Sequence, residues 1–229
     1  MSLEMRTGHE GTGPGAITPD GCAVELYSRL PVEREPEIIA GAVPAGASVL
    51  ELGCGVGRVT HALVERGFRV TAVDESVEML ERVRGARTVA STIEGLDLGE
   101  KFDVVTLGSI LVNAGEAGLG RALLDTCRRH VADDGCVLIE RERDGVHTGL
   151  PREHVLPDGA VIRKLSSEPV GDGVRSVKVE YDFPDAVWTQ TYTVRPMTVE
   201  VFEQGLAAAG LKVDRYLTED SSWVRAVPA

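Results

Sequence analysis

Between residues 48 and 140, short dense apolar runs alternate with segments whose apolar residues recur at helical spacing. Ser48–Leu52 reads as a buried strand and residues 56–66 as a helix. Residues 68–73 are the next strand and residues 76–84 the next helix, with Ser76 as its N-cap. A third strand is expected over residues 88–92. A fourth spans residues 102–107, a β-branched apolar run suited to burial on both faces. Residues 119–131 are helical, Asp134-Gly135 turns the chain, and residues 136–140 form a fifth strand. Strand and helix alternating at such short intervals favour a parallel sheet with right-handed crossovers.

The pattern differs at both ends of this stretch. Residues 1–19 repeat Gly, Thr and Pro with little periodicity and read as a flexible arm. Val24, Leu26, Tyr27 and Leu30 mark a short helix within residues 20–30, and a second helix is expected over residues 35–42. After Arg143, the turn signals Asp158-Gly159 and Asp172-Gly173 separate segments that alternate rather than run apolar. Residues 160–166, 174–183 and 187–195 read as three antiparallel strands, with Val177, Val179, Tyr181 and Phe183 on one face of the second and Trp188, Tyr192 and Val194 on one face of the third. A helix over residues 198–209, capped by Gly210, precedes two strands over residues 211–217 and 223–227. The expected organisation is an arm over residues 1–19 and a single domain over residues 20–229, with residues 144–196 as an antiparallel β insertion.

Composition narrows the classes. The 229 residues suit one α/β domain with a modest insertion. No apolar run approaches the roughly 20 residues that cross a bilayer, and no signal-peptide pattern opens the chain, so no membrane association and a cytoplasmic location are expected. A net charge of −12 disfavours non-specific binding to nucleic acid. Cys22, Cys54, Cys127 and Cys136 lack paired CxxC spacing, which points to reduced core thiols and to no metal site.

The sharpest feature is Val49-Leu50-Glu51-Leu52-Gly53-Cys54-Gly55-Val56-Gly57-Arg58, in which a strand enters a turn with glycine at alternate positions and a helix leaves it. Glycine permits positive φ and lets a ligand approach the backbone, and free N–H groups at a helix start attract an anion. Dinucleotide enzymes place a third glycine where this chain has Arg58, which obstructs close helix–strand packing and speaks against an NAD-linked oxidoreductase. The segment from Glu51 to Gly57 resembles the first motif of class I S-adenosylmethionine (SAM)-dependent methyltransferases. Asp74-Glu75-Ser76 followed by Met79-Leu80 is similar to that family's second motif, and Thr92-Ile93-Glu94-Gly95-Leu96-Asp97-Leu98 with Phe102-Asp103-Val104-Val105 resembles its third and fourth.

The resemblance implies a Rossmann-like α/β fold: a mostly parallel sheet with an antiparallel last strand and a small antiparallel β insertion. It also implies a SAM site. Glu51, Gly53, Cys54, Gly55, Gly57 and Arg58 would come from the first motif, and Asp74, Glu75, Ser76 and Met79 from the second, with Asp74 accepting both ribose hydroxyls. As an alternative, Asp74 complements a helix dipole. Thr92 and Ile93 would edge the adenine, and Gly108 and Ser109 would face the methionine moiety. For Tyr27 two readings stay open, a lid over the donor or plain core packing. His147 and His154 are the candidates for a general base. His61 suits packing, and His130 suits a helix C-terminal cap. Trp188, Tyr192 and Tyr181 line either an acceptor pocket or the buried side of a sheet, and residues 141–144 read as a solvated strand end.

The expected function is in-line methyl transfer from SAM to N or O, less readily C, of a small molecule in natural-product biosynthesis, releasing S-adenosylhomocysteine. A methyltransferase acting on protein or RNA, or a non-catalytic SAM-binding subunit, are the alternatives. A homodimer stays open, since such insertions shape either the acceptor site or a dimer interface.

Overall fold

The computed structural model describes residues 5–229. In chain order the first elements are β1 (Glu10–Thr12), α1 (Val24–Tyr27), α2 (Glu35–Ala42), β2 (Ser48–Leu52), α3 (Arg58–Glu65), β3 (Arg69–Asp74), α4 (Val77–Leu80), β4 (Arg87–Ala90) and β5 (Phe102–Leu107). They are followed by α5 (Leu119–His130), β6 (Val131–Glu140), β7 (Arg152–Val155), β8 (Val161–Gly171), β9 (Val174–Phe183), β10 (Ala186–Val194), α6 (Val199–Ala208), β11 (Leu211–Tyr216) and β12 (Trp223–Pro228). The chain divides into two units. One contains residues 5–30 and Gly145–Pro196, the other Pro31–Asp144 and Met197–Ala229. No helix of the described residues is long and apolar enough to cross a membrane.

The larger unit is a seven-stranded sheet in the order β11-β12-β6-β5-β2-β3-β4. The pairs β2–β3, β2–β5, β3–β4 and β5–β6 are parallel, and β12 runs antiparallel to both β6 and β11. This is the expected Rossmann-like sheet, mostly parallel with an antiparallel last strand. Its central strands are apolar on both faces because helices cover both. Leu50, Leu52, Val105, Leu107, Val137 and Ile139 pack with Leu123, Leu124 and Cys127 of α5 and Phe202 and Leu206 of α6. The alternate residues Val49, Val104, Cys136 and Leu138 pack with Ile39 of α2 and Leu63 of α3. Period-two alternation thus sorts one strand into two cores.

Two local patterns resolve differently from the sequence reading. Asp134-Gly135 does not end a turn: β6 runs through it, and the pairing with β5 steps from Phe102–Val131 to Val104–Cys136, so the intervening residues bulge outward. Gly135 is required there, since a Cβ would lie 2.7 Å from the Asp103 carbonyl oxygen. The helix expected over residues 76–84 is only α4. Ser76 Oγ does accept the Met79 N–H as its N-cap (3.1 Å), but the Arg84 N–H goes to His61 Nε2 at 3.0 Å instead of to a helical carbonyl.

The smaller unit is a five-stranded antiparallel sheet in the order β1-β10-β9-β8-β7. The insertion is the larger part of it, and the N-terminal segment is the rest. Residues 1–4 of the expected arm lie outside the described residues. Glu10–Thr12, expected within that flexible arm, is an edge strand whose Glu10, Gly11 and Thr12 pair with Thr191, Gln190 and Thr189. Thr12 and Thr189 hydroxyls hydrogen-bond at 2.7 Å. Aromatic residues fill this unit's core. Trp188 is fully buried, donates Nε1–H to the Pro14 carbonyl at 2.9 Å, and meets Phe183 edge-on with ring centroids 5.6 Å apart. Trp188 is therefore a packing residue.

Removing a side chain from the sheet interior opens a cavity that the flanking helices cannot fill. Leu138→Ala is expected to lower the stability of the folded protein by about 2–5 kcal/mol, read from urea unfolding by tryptophan fluorescence. Val77→Ala, at a position 54% exposed, should stay within about 0.5 kcal/mol of the parent.

Candidate cofactor site

The parallel register sets the site. Leu52 pairs with both Val73 and Leu107, so Gly53, Asp74 and Gly108 emerge side by side at the carboxyl ends of β2, β3 and β5. In open α/β sheets this edge is where ligands bind. Gly53, Gly55 and Gly57 all have positive φ, at 72°, 54° and 86°. The Gly53 and Cys54 N–H groups both reach the Val73 carbonyl at 2.9 Å. In front of Gly55 lies open space, for a Cβ there would meet nothing within 4 Å. A ligand can approach that backbone directly.

Asp74 holds the turn in place. Its Oδ2 accepts the Gly55 N–H at 2.8 Å, and its Oδ1 accepts the Ser76 N–H at 2.9 Å. Glu75 is half-buried, while Ser76 and Met79 are buried behind the strand end. Ile93 and Leu111 stand over Gly53, where a Cβ would lie 3.7 Å and 2.8 Å from their Cδ1 atoms. Thr92 Oγ1 accepts the Gly95 N–H at 3.3 Å, and the Ile93 carbonyl accepts the Thr126 hydroxyl at 3.0 Å. Arg58 begins α3 and donates to the Pro31 carbonyl.

Glu51 is buried beneath the turn and its Oε2 accepts the Thr60 hydroxyl at 2.5 Å. Burial raises its pKa to about 7, opposed by the Thr60 hydrogen bond and Arg58 and reinforced by the Asp74 charge. The Cys54 thiol beside it is pushed far up, chiefly by burial. It is one of four free thiols, with Cys54, Cys127 and Cys136 buried and Cys22 half-buried.

At the other end of the edge, Ser109 and Ile110 both have positive φ, at 52° and 54°. For a β-branched residue that is a costly conformation. The Ser109 N–H points at Glu140 Oε2, 2.7 Å away. Sequence reading passed over Glu140 and Trp223, although strand register would have found them: Leu107 pairs with Ile139, and Glu140 with Trp223. It also took residues 141–144 as a solvated strand end. That holds for Arg143 and Asp144, which are exposed, but Arg141 is 1% and Glu142 7% exposed. Arg141 donates to the Met197 carbonyl at 2.8 Å and lies 5.9 Å from the Phe202 ring centroid, and the Glu142 N–H donates to Asn113 Oδ1 at 2.8 Å.

Not all of the sequence-predicted residues gather in this unit. Tyr27, His147 and His154 belong to the smaller one. Tyr27 donates to Gln190 Oε1 at 3.5 Å, and its pKa is well above the ordinary value, chiefly through burial. His147 Nδ1 and Ser167 Oγ hydrogen-bond at 2.8 Å, with Arg175 Nε donating to the same hydroxyl. His154 is exposed on β7. In the larger unit, His61 receives the Arg84 N–H, and His130 bonds the Thr126 carbonyl through Nδ1 while Nε2 accepts the Leu98 N–H at 3.1 Å. Both have structural partners.

An Asp-locked glycine turn thus stands at the carboxyl edge of the parallel strands, where open α/β sheets bind their ligands. Residues 49–135 match the family model described as a methyltransferase domain. Over 73 residues the chain is 48% identical to an uncharacterized methyltransferase of Mycobacterium tuberculosis, covering 31% of this chain and 30% of that protein. Over 103 residues it is 39% identical to the cypemycin N-terminal methyltransferase of a Streptomyces species, 42% of each chain. The aligned part thus spans about 30–42% of the length of these curated relatives. Among solved structures, a SAM-bound amino pentose methyltransferase from Micromonospora echinaspora involved in calicheamicin biosynthesis shares the fold. Its TM-score is 0.68 at 23% identity, covering 85% of this chain and 89% of that one. Residues 49–135 are thus similar to a methyltransferase domain, and the chain shares the fold of SAM-dependent methyltransferases.

The buried Glu51 makes stability depend on pH in a defined direction. Its pKa is raised on folding from the usual 4.5 to about 7, so the folded state binds this proton more tightly than the unfolded chain. The wild type should therefore lose stability relative to Glu51→Gln as pH rises from about 4.5 through about 7. The relative loss should be on the order of 3 kcal/mol, read as the wild-type-minus-variant difference in urea unfolding at pH 4.5 and pH 8.

Proposed function

We propose that this chain transfers a methyl group from SAM to a nitrogen or oxygen of a small molecule in natural-product biosynthesis, releasing S-adenosylhomocysteine. The observation that carries the reading is the Asp74-locked turn with open backbone at Gly55. SAM supplies an electrophilic methyl carbon on a sulfonium, which an acceptor attacks in line. The residues present fit such a donor. Asp74, beside the open backbone of Gly55, would accept the ribose diol, Ile93 and Thr92 border the apolar edge beside Gly53, and Gly108 and Ser109 form the opposite border. Glu51, Gly53, Cys54, Gly57 and Arg58 shape the turn, with Glu75, Ser76 and Met79 supporting Asp74.

The remaining task of the protein is to hold the acceptor in line and exclude water, a positioning effect worth up to about 7–11 kcal/mol. A small-molecule acceptor is supported by the net charge of −12, which repels an RNA backbone. It is also supported by the amino pentose and cypemycin substrates that the related proteins are named for.

Isothermal titration tests the donor half of this reading. SAM should bind the wild type, and Asp74→Ala should weaken it by roughly 1.5–3 kcal/mol, the range for a hydrogen bond to a charged group. Unchanged affinity in a folded variant would remove the ribose role of Asp74. A wild type that binds NADH and not SAM would remove the whole reading.

A further inference from the structure

One carboxylate at the carboxyl edge of the sheet has no part in holding the glycine turn. Glu140 is the last residue of β6, half-buried, and stands beside the end of β5. Its Oε2 is fixed by the Ser109 N–H at 2.7 Å. A Cβ built on Gly108 would lie 3.9 Å from that same oxygen and 3.9 Å from the ring of Trp223, so the two side chains wall the space over Gly108. Oε1 has no hydrogen-bond partner among the described residues and is not sealed from solvent. One oxygen is anchored and the other is open.

We infer that Glu140 is the acceptor-side base and that the group it serves is an amine. The inference deepens the proposed function and rests on it. An ionised carboxylate only accepts hydrogen bonds. It therefore holds an N–H donor through Oε1 and attracts the positive charge that an amine carries before reaction and develops during it. The same charge opposes the oxyanion that a phenol or a carboxylate acceptor would present. Before the transfer, Glu140 Oε1 takes a proton from the bound ammonium and passes it to water, which frees the nitrogen lone pair. That lone pair forms the N–C bond as the C–S bond breaks with its electron pair left on sulfur, and the product leaves as the methylated ammonium.

The surroundings tune this carboxyl upward. Burial raises its pKa, the Ser109 N–H lowers it, the nearby charges of Glu35 and Glu33 raise it, and Arg143 lowers it. A base is most effective when its pKa approaches the working pH. The left-handed backbone of Ser109 and Ile110 is the local cost of turning the Ser109 N–H onto this side chain.

The test uses the full chain with methyl-labelled SAM, glucosamine and glycylglycine as amine acceptors, and catechol and 4-hydroxybenzoate as oxygen acceptors. Label is expected on the amines. Glu140→Gln should bind S-adenosylhomocysteine within about twofold of the wild type, while kcat/KM for the amine falls roughly 10²–10⁴-fold, the usual contribution of a general base. The acidic limb of the wild-type pH profile should be absent in Glu140→Gln and present in Glu140→Asp. Three results overturn the inference: label on the oxygen acceptors alone, no label on any amine, or an unchanged profile in Glu140→Gln. If the glutamine variant does not fold, Glu140→Asp decides, because shortening the side chain must still cost activity and leave donor binding intact. Donor titration without an acceptor is a separate readout, so a wild type that binds no SAM removes the proposed function and this inference together.

Discussion

Everything at the site depends on Asp74 bridging two backbone N–H groups across neighbouring strand ends. A turn with three glycines has many conformations open to it, and its ordering is entropically costly. By accepting from Gly55 and from Ser76, the carboxylate ties the loop after β2 to the start of α4. Hydrogen bonds to an ionised group are about twice as strong as neutral ones. The lock is therefore strong enough to hold the turn open at Gly55 before any ligand arrives, and pre-ordering of this kind is the main route to affinity without extra contacts.

That lock places negative charge close to a second, buried carboxyl. Glu51 faces the α3 side of the sheet, on the same face as Val49, and Thr60 is the hydrogen-bond partner that offsets part of its burial. The raised pKa of Glu51 comes chiefly from its burial, and the Asp74 charge adds to it. Stability is given up there for a fixed polar floor under the turn. Further along the edge, Ser109 and Ile110 show the same pattern in backbone terms, with an unfavourable conformation maintained because Glu140 and the β6 end over-determine it.

The two units follow different packing rules. The parallel sheet buries both faces, so its strands are nearly all apolar. The antiparallel sheet leaves β7 exposed throughout and gathers its core around Trp188, Phe183 and Leu26. A short edge strand from the N-terminal segment, β1, covers the outer edge of β10, which protects a run of otherwise unpaired backbone groups.

Much of the larger unit was legible in the chain itself. The apolar runs of β2 and β5, the N-cap at Ser76 and the glycine turn are local patterns, and local sterics and period-two burial express them directly. The pairing of Glu10–Thr12 with β10 was not legible. A strand of three polar and small residues has no periodic signal, and its partner is about 180 residues away along the chain. The same holds for Arg141 and Glu142. Their charges suggest solvent, but Arg141 is held by the Met197 and Ser221 carbonyls beside Phe202 of α6, and the Glu142 backbone is tied to Asn113. By itself the sequence determined the glycine turn and its acid, because each needs only residue type and short-range spacing. Only the tertiary structure decided which groups stand beside that turn. Glu140, Trp223 and Leu111 come from distant segments, and strand register, a long-range property, brings them to one edge.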